Sequence, residues 1–170
     1  MIFSEKQNEI LERFKQGENL FISGPGGSGK TTLIKELIKS TSKNVQVCAL
    51  TGCAAILLQS NAKTIHSWSG IKIAKGDKDK IIKNVVQNKF KSRDWRKTDI
   101  LIIDEISMMS KRIFDLLNSI GKETRKNQHS FGNLQLVFVG DFYQLPPVTN
   151  DDLDSDKFCF ESTDWFSAFP

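Results

Sequence analysis

The chain has 170 residues, of which 39% are hydrophobic and 26% charged, with 4 Pro and a net charge of +4. That is enough for one self-sufficient core and too little for two, and the balance excludes disordered and fibrous classes. Three cysteines, Cys48, Cys53 and Cys159, lack C-x-x-C spacing, which speaks against a disulfide framework or a zinc ribbon and for a reducing, intracellular setting. The opening MIFSEKQNEI has no basic start followed by an apolar run, and no segment approaches the roughly 18 apolar residues of a membrane span, so neither secretion nor a membrane partner is expected.

In chain order, Phe3, Ile10, Leu11 and Phe14 recur at helical spacing behind Ser4, a candidate N-cap, and Gly17 closes the pattern, predicting a helix over about 4–16. Asn19 to Ser23 is a short apolar strand that runs into GPGGSGKTTL, after which Leu33, Ile34, Leu37 and Ile38 mark a helix. Val45 to Leu50 reads as a buried strand, followed by a small helix near Gly52–Gln59 and an amphipathic basic helix near Asp77–Phe90. Asp99 to Ile103 is the next strand. Ser110 caps a helix with Ile113, Phe114, Leu116, Leu117 and Ile120 on one face, and Leu134 to Val139 is the last strand, stopped by Gly140 and Pro146-Pro147. Continuous apolar strands alternating with helices predict an α/β fold with a mainly parallel sheet covered on both faces.

Charge is unevenly spread along these elements. Residues 72–97 carry ten Lys and Arg against Asp77, Asp79 and Asp94, while 151–170 carry six acids and one Lys. A polyanion should therefore approach the middle of the chain, although a solvated helix face with Ile81, Ile82, Val85 and Val86 turned inward explains most of the basic run.

Gly24, Pro25, Gly26, Gly27, Ser28, Gly29, Lys30 and Thr31 satisfy G-x-x-x-x-G-K-[ST] between a predicted strand and a predicted helix, the context in which this string forms a phosphate-binding loop. Glycines let backbone N–H groups close around phosphate oxygens, and the following helix adds its positive end. Lys30 is expected to reach the β- and γ-phosphates, the Thr31 hydroxyl to ligate Mg²⁺, and Thr32 to lie beside the nucleotide. The strand LIIDE delivers Asp104 and Glu105 to the carboxyl edge of the sheet, where ligands bind in open α/β folds. Asp104 is expected to hold Mg²⁺, and Glu105 to orient or deprotonate an attacking water. The expected cofactors are thus ATP and Mg²⁺.

With these strings, the order FSEKQNEIL, GPGGSGKT, ALTGCAA, TIHSWSGI, LIIDEISMM and GNLQLVFVGDFYQLPPV resembles the PIF-one family of 5′-to-3′ DNA helicases in helicase superfamily one, over nearly the whole chain. GDxxQLPPV is the most specific of them. The resemblance implies a RecA-like ATPase lobe acting on single-stranded DNA. It implies that Gln7 reads the adenine edge, that Gln144 senses the γ-phosphate with Asp141 positioning its loop, and that Thr51, Gly52, His66 and Ser67 touch the DNA backbone. Trp68 and Trp95 are read as packing residues with base stacking as the alternative, and Cys48, Cys53, Met108 and Met109 as core or near-core.

Nothing after GDFYQLPPV resembles the second lobe of such motors, which supplies an arginine to the nucleotide. The resemblance thus implies the first lobe of a longer motor, slow to hydrolyse and unable to unwind alone. Two other classes stay open: a small P-loop phosphotransferase and a non-catalytic half-motor that binds DNA.

Overall fold

A computed structural model describes residues 2–170. Its elements in chain order are α1 (Glu5–Lys15), β1 (Leu20–Ser23), α2 (Lys30–Lys39), β2 (Val45–Ala49), α3 (Gly52–Leu58), β3 (Lys63–Thr64), α4 (Ile65–Ser69), α5 (Lys78–Gln87), α6 (Lys89–Lys97), β4 (Ile100–Asp104), α7 (Lys111–Arg125), β5 (Gln135–Gly140) and α8 (Trp165–Ala168). The sheet runs β1-β5-β4-β2-β3, with each adjacent pair parallel. This is the expected α/β architecture.

Alternation along the strands builds a core on each face, because successive side chains point to opposite sides. Ile100 and Ile102 of β4 face one way and join Leu33, Ile34 and Leu37 of α2, Phe14 of α1 and Ala54, Ala55 and Leu58 of α3. Leu101 and Ile103 face the other way, against Phe114 and Leu117 of α7, Trp68 of α4 and Trp95 of α6. Both faces of β4 and β5 are thereby removed from water, which is why these strands read as unbroken apolar runs rather than alternating ones.

The single basic helix expected near 77–90 is two helices. Asn88 leaves the helical region (φ −76°, ψ 110°), ends α5, and turns its side chain to accept from the N–H groups of Phe90 and Lys91, starting α6. Apolar spacing did not register this break, because it counted Phe90 with the first helix, whereas Phe90 lies exposed on α6. β3 and α4 are too short for periodicity to show.

Trp68 and Trp95 are packing residues: both are buried with ring centroids 4.7 Å apart, and Trp95 Nε1 donates to the Ser69 carbonyl at 3.1 Å. Base stacking is ruled out for them. Cys48 and Met109 are buried and Met108 is half-buried, but Cys53 is exposed on α3, a correction to its near-core reading. Burial pushes the Cys48 and Cys159 thiols up to about 12.

Two buried contacts fix the helical layer over the basic segment. Arg112 of α7, 4% exposed, donates to the Ala74 carbonyl at 3.0 Å and to that of Gly76, and faces Asp152 at 3.7 Å. Gly121 lets α7 approach the turn over 130–133 so closely that a Cβ there would sit 2.6 Å from the Phe131 carbonyl oxygen.

Candidate functional site

The carboxyl ends of β1, β4, β2 and β5 lie along one edge of the sheet, and each is followed by a segment singled out in the sequence. Residues 24–29 connect β1 to α2, with Gly27 (φ 76°) and Gly29 (φ 85°) in the left-handed region that favours glycine. Gly29 is the N-cap of α2 and offers no side chain to its free N–H groups, so those donors remain available to an anion. Lys30 folds back over the loop, its Nζ donating to the carbonyls of Gly24 and Pro25 (2.7 Å to Pro25) and reaching Ser28 Oγ at 3.3 Å. Thr31 is exposed and Thr32 half-buried on the first turn of α2.

Two glutamine amides flank this loop. A Cβ at Gly29 would lie 3.3 Å from Gln7 Nε2, and one at Gly26 would lie 3.7 Å from Gln144 Nε2. Gln7 is held by a capping box: Ser4 N–H donates to its Oε1 at 2.9 Å while its own N–H donates to Ser4 Oγ at 3.2 Å. That leaves the Nε2 donor facing the loop. Gln144 follows a tight turn in which Asp141 takes the N–H of Tyr143 on its carboxylate and that of Gln144 on its carbonyl, each at 2.9 Å.

Asp104 ends β4. Burial raises its carboxyl above the usual carboxylate value, opposed by the Glu105 N–H it accepts at 2.8 Å and by the charge of Lys30. Glu105 has a left-handed backbone (φ 56°, ψ 43°), a costly conformation for a non-glycine residue that surrounding contacts must hold. Gly140 supplies one of them, since a Cβ there would stand 2.8 Å from the Ile106 nitrogen.

Thr51 N-caps α3, its Oγ1 accepting from Ala54 N at 3.2 Å, and the same hydroxyl donates to Glu105 Oε2 at 3.2 Å. Gly52 is exposed beside it. The sequence reading missed this contact, which spans 54 positions and follows from the register of β2 and β4, where Ala49 lies opposite Asp104; no local pattern signals it. Further along the same side, α4 presents His66 and the exposed Ser67, and Lys91 of α6 donates to the Ser67 carbonyl at 2.8 Å. Burial lowers the His66 imidazole below its ordinary value of 6.5, so it is neutral at physiological pH and does not act as a fixed cation. His66 lines a cavity of about 400 Å³ with Met108, Pro147 and Val148. A concavity of about 1060 Å³ lies at the opposite edge, where Lys43, Asp99 and Gln135 line it, and it includes none of these residues.

The arrangement suits a Mg–nucleotide. Open glycine positions and unpaired α2 N–H groups provide the cradle, Lys30 can exchange two loop carbonyls for phosphate oxygens, and Asp104 is a half-buried carboxylate close enough to feel the Lys30 charge. Among the described residues no cluster of three His, Cys, Asp or Glu could hold a metal alone, so any metal there would need water or nucleotide oxygens in its shell.

The PIF1-like helicase family model matches residues 2–169. The ATP-dependent DNA helicase PIF1 of Saccharomyces cerevisiae is 41% identical over 167 residues, covering 95% of this chain and 19% of that protein. Pif1 of Psychrobacter is 40% identical, covering 96% of this chain and 25% of its own length, so the chain spans about a fifth to a quarter of these curated relatives. Among solved structures, the Candida albicans Pif1 helicase superposes with a TM-score of 0.89 at 40% identity, over 99% of this chain and 38% of that one. Bacteroides Pif1 in complex with ADP-AlF3 and single-stranded DNA gives 0.80 at 30% identity, over 96% and 39%. On the family model and these matches, the chain belongs to the PIF1-like helicase family.

Proposed function

We propose that this chain is a RecA-like motor lobe of an ATP-dependent DNA helicase, binding Mg–ATP on the 24–32 loop and single-stranded DNA across Thr51, Gly52, His66 and Ser67. The observation that carries the reading is the convergence on one sheet edge of the phosphate loop, the Asp104-Glu105 pair and the Gln144 loop, with Gln7 and Gln144 amides on the phosphate loop and Thr51 on Glu105. The relatives are named ATP-dependent DNA helicases, and the complex of one Pif1 with ADP-AlF3 and single-stranded DNA supports both ligands here.

In this reading the N–H groups at the start of α2 and the Lys30 ammonium bind the phosphates, and Gln7 donates its free Nε2 to the adenine edge. Thr31 and Asp104 hold Mg²⁺, which when bound neutralises developing phosphate charge. Glu105 orients the attacking water and accepts its proton. Gln144, on a turn set by Asp141 and seated over Gly26, carries the state of the γ-phosphate to its loop.

None of the chain's five arginines belongs to the segments that form the nucleotide edge. Arg13 pairs with Glu18 at 2.7 Å, Arg112 and Arg125 bind backbone carbonyls, and Arg93 and Arg96 belong to α6, where Arg93 stacks on Phe90. A charge-stabilising arginine therefore comes from a second lobe, and the motor works inside the cell on DNA with 5′-to-3′ polarity, as its resemblance implies. The same placement argues against a phosphotransferase with an arginine-bearing lid.

The test is nucleotide binding by the parent protein and by Lys30→Ala. The expected result is loss of Mg–ATP binding or of turnover in the variant; unchanged binding and turnover would remove Lys30, and with it the site.

A further inference from the structure

We propose that Thr51 is a positioning residue that restrains Glu105 in the absence of DNA and releases it when a DNA phosphate takes the Thr51 hydroxyl. The inference rests on the functional reading above, in which Thr51 touches the DNA backbone and Glu105 orients water.

The argument is one of proton supply. A threonine hydroxyl has a single O–H to donate, and its oxygen accepts. In Thr51 the oxygen accepts from Ala54 N–H at 3.2 Å, and the proton goes to Glu105 Oε2, also at 3.2 Å. An ionised carboxylate and a phosphodiester oxygen are both acceptors without a proton to give. Each needs the same O–H, so the hydroxyl serves Glu105 or DNA but not both. Among the described residues no other side chain donates to the Glu105 carboxylate, so this one bond decides whether it is tethered.

The frame around the bond is rigid, which confines the change to side chains. Ala49 pairs with Asp104 in adjacent parallel strands, so Thr51 and Glu105 leave the sheet side by side. The Glu105 backbone is held in its left-handed conformation by the N–H donated to Asp104 Oδ1 and by the close approach of Gly140 to Ile106. Thr51 is fixed by its cap on α3. Exchange of acceptors at one hydroxyl would thus link DNA occupancy to the water-orienting group without moving either element.

The experiment uses the longest protein that carries this chain, with steady-state Mg–ATP hydrolysis measured without DNA and with saturating oligo(dT), so that a weaker grip on DNA does not enter. Thr51→Val removes the hydroxyl; Thr51→Gly also removes it while keeping a favoured N-cap residue; Thr51→Ser retains it. The tether is a hydrogen bond to a charged group, so its loss in Val and Gly is expected to raise the DNA-free rate about tenfold and reduce stimulation by DNA by about the same factor. Thr51→Ser is expected to keep the parent ratio. A purely structural role would lower the DNA-free rate or leave the ratio unchanged in Val and Gly, and either result overturns the proposal. Glu105→Gln separates the two levels: if turnover persists in it, the functional reading fails together with the tether. If Glu105→Gln is inactive while Val and Gly keep the parent ratio, only the tether fails.

Discussion

Glu105 and Gln7 are the residues whose roles separate most cleanly by substitution. Glu105 touches no residue of the phosphate loop through a hydrogen bond, so Glu105→Gln should leave Mg–ATP affinity within about twofold while reducing turnover by about 10²-fold or more. Parallel binding and single-turnover measurements check this, and equal losses in both would argue against a water-orienting role. Gln7 keeps only its Nε2 free, because Oε1 is engaged by Ser4. Gln7→Glu keeps a capping-box acceptor and removes that donor, so it should weaken ATP binding with little effect on helix stability, and because the N7 acceptor is common to both purines it should weaken GTP binding as well. Binding titrations with each nucleotide read the change.

At this scale the phosphate loop and the acidic pair were legible because each is a contiguous string whose spacing is itself the chemistry. The contact of Thr51 with Glu105 was not, since it depends on which strands lie side by side. Nor was the downward shift of the His66 imidazole, which comes from burial.

At the scale of elements, two joints tie α7 to the segments beside it. Lys111 of α7 reaches Asp154 at 2.6 Å and Asp115 at 3.0 Å, and Lys157 adds a second ion pair to Asp154 at 3.0 Å. The Lys111 hydrogen bond, then that of Lys157, holds the Asp154 carboxyl down at about 2, against 3.8 unperturbed. Because the folded value is depressed, this contribution is present above about pH 4 and is lost as pH falls through about 2. Asp154→Asn should therefore unfold earlier than the parent at pH 7, and the gap should close between pH 4 and 2; thermal melts across that range test it.

The second joint is the close approach of α7 to Phe131, where Gly121→Ala should cost about 2–3 kcal/mol, because backbone rather than a flexible side chain occupies the Cβ position. Denaturant unfolding checks that figure. Long amphipathic helices such as α7 were readable from their apolar stripe, whereas the break at Asn88 was not. Here the Asn88 side chain caps the N–H groups of Phe90 and Lys91, a local bond that apolar spacing does not register.

For the whole molecule, the order β1-β5-β4-β2-β3 gathers the phosphate loop, Asp104-Glu105, the Gln144 loop and Thr51 from segments more than a hundred residues apart onto one edge. Alternating strands and helices foretold a parallel sheet with its site at the carboxyl edge, but strand order was set by pairing that no local pattern encodes. That edge contains carboxylates, hydroxyls and one lysine, and none of the five arginines belongs to the segments that form it, which is why the proposed motor needs an arginine from a second body.

The most direct measurement of the central claim is the rate of Mg–ATP hydrolysis by the protein carrying this chain, with and without single-stranded DNA. The account predicts hydrolysis that rises on adding the strand, in both cases disappearing with Glu105→Gln. Hydrolysis indifferent to DNA, or transfer of the γ-phosphate to a small acceptor in its place, would contradict it.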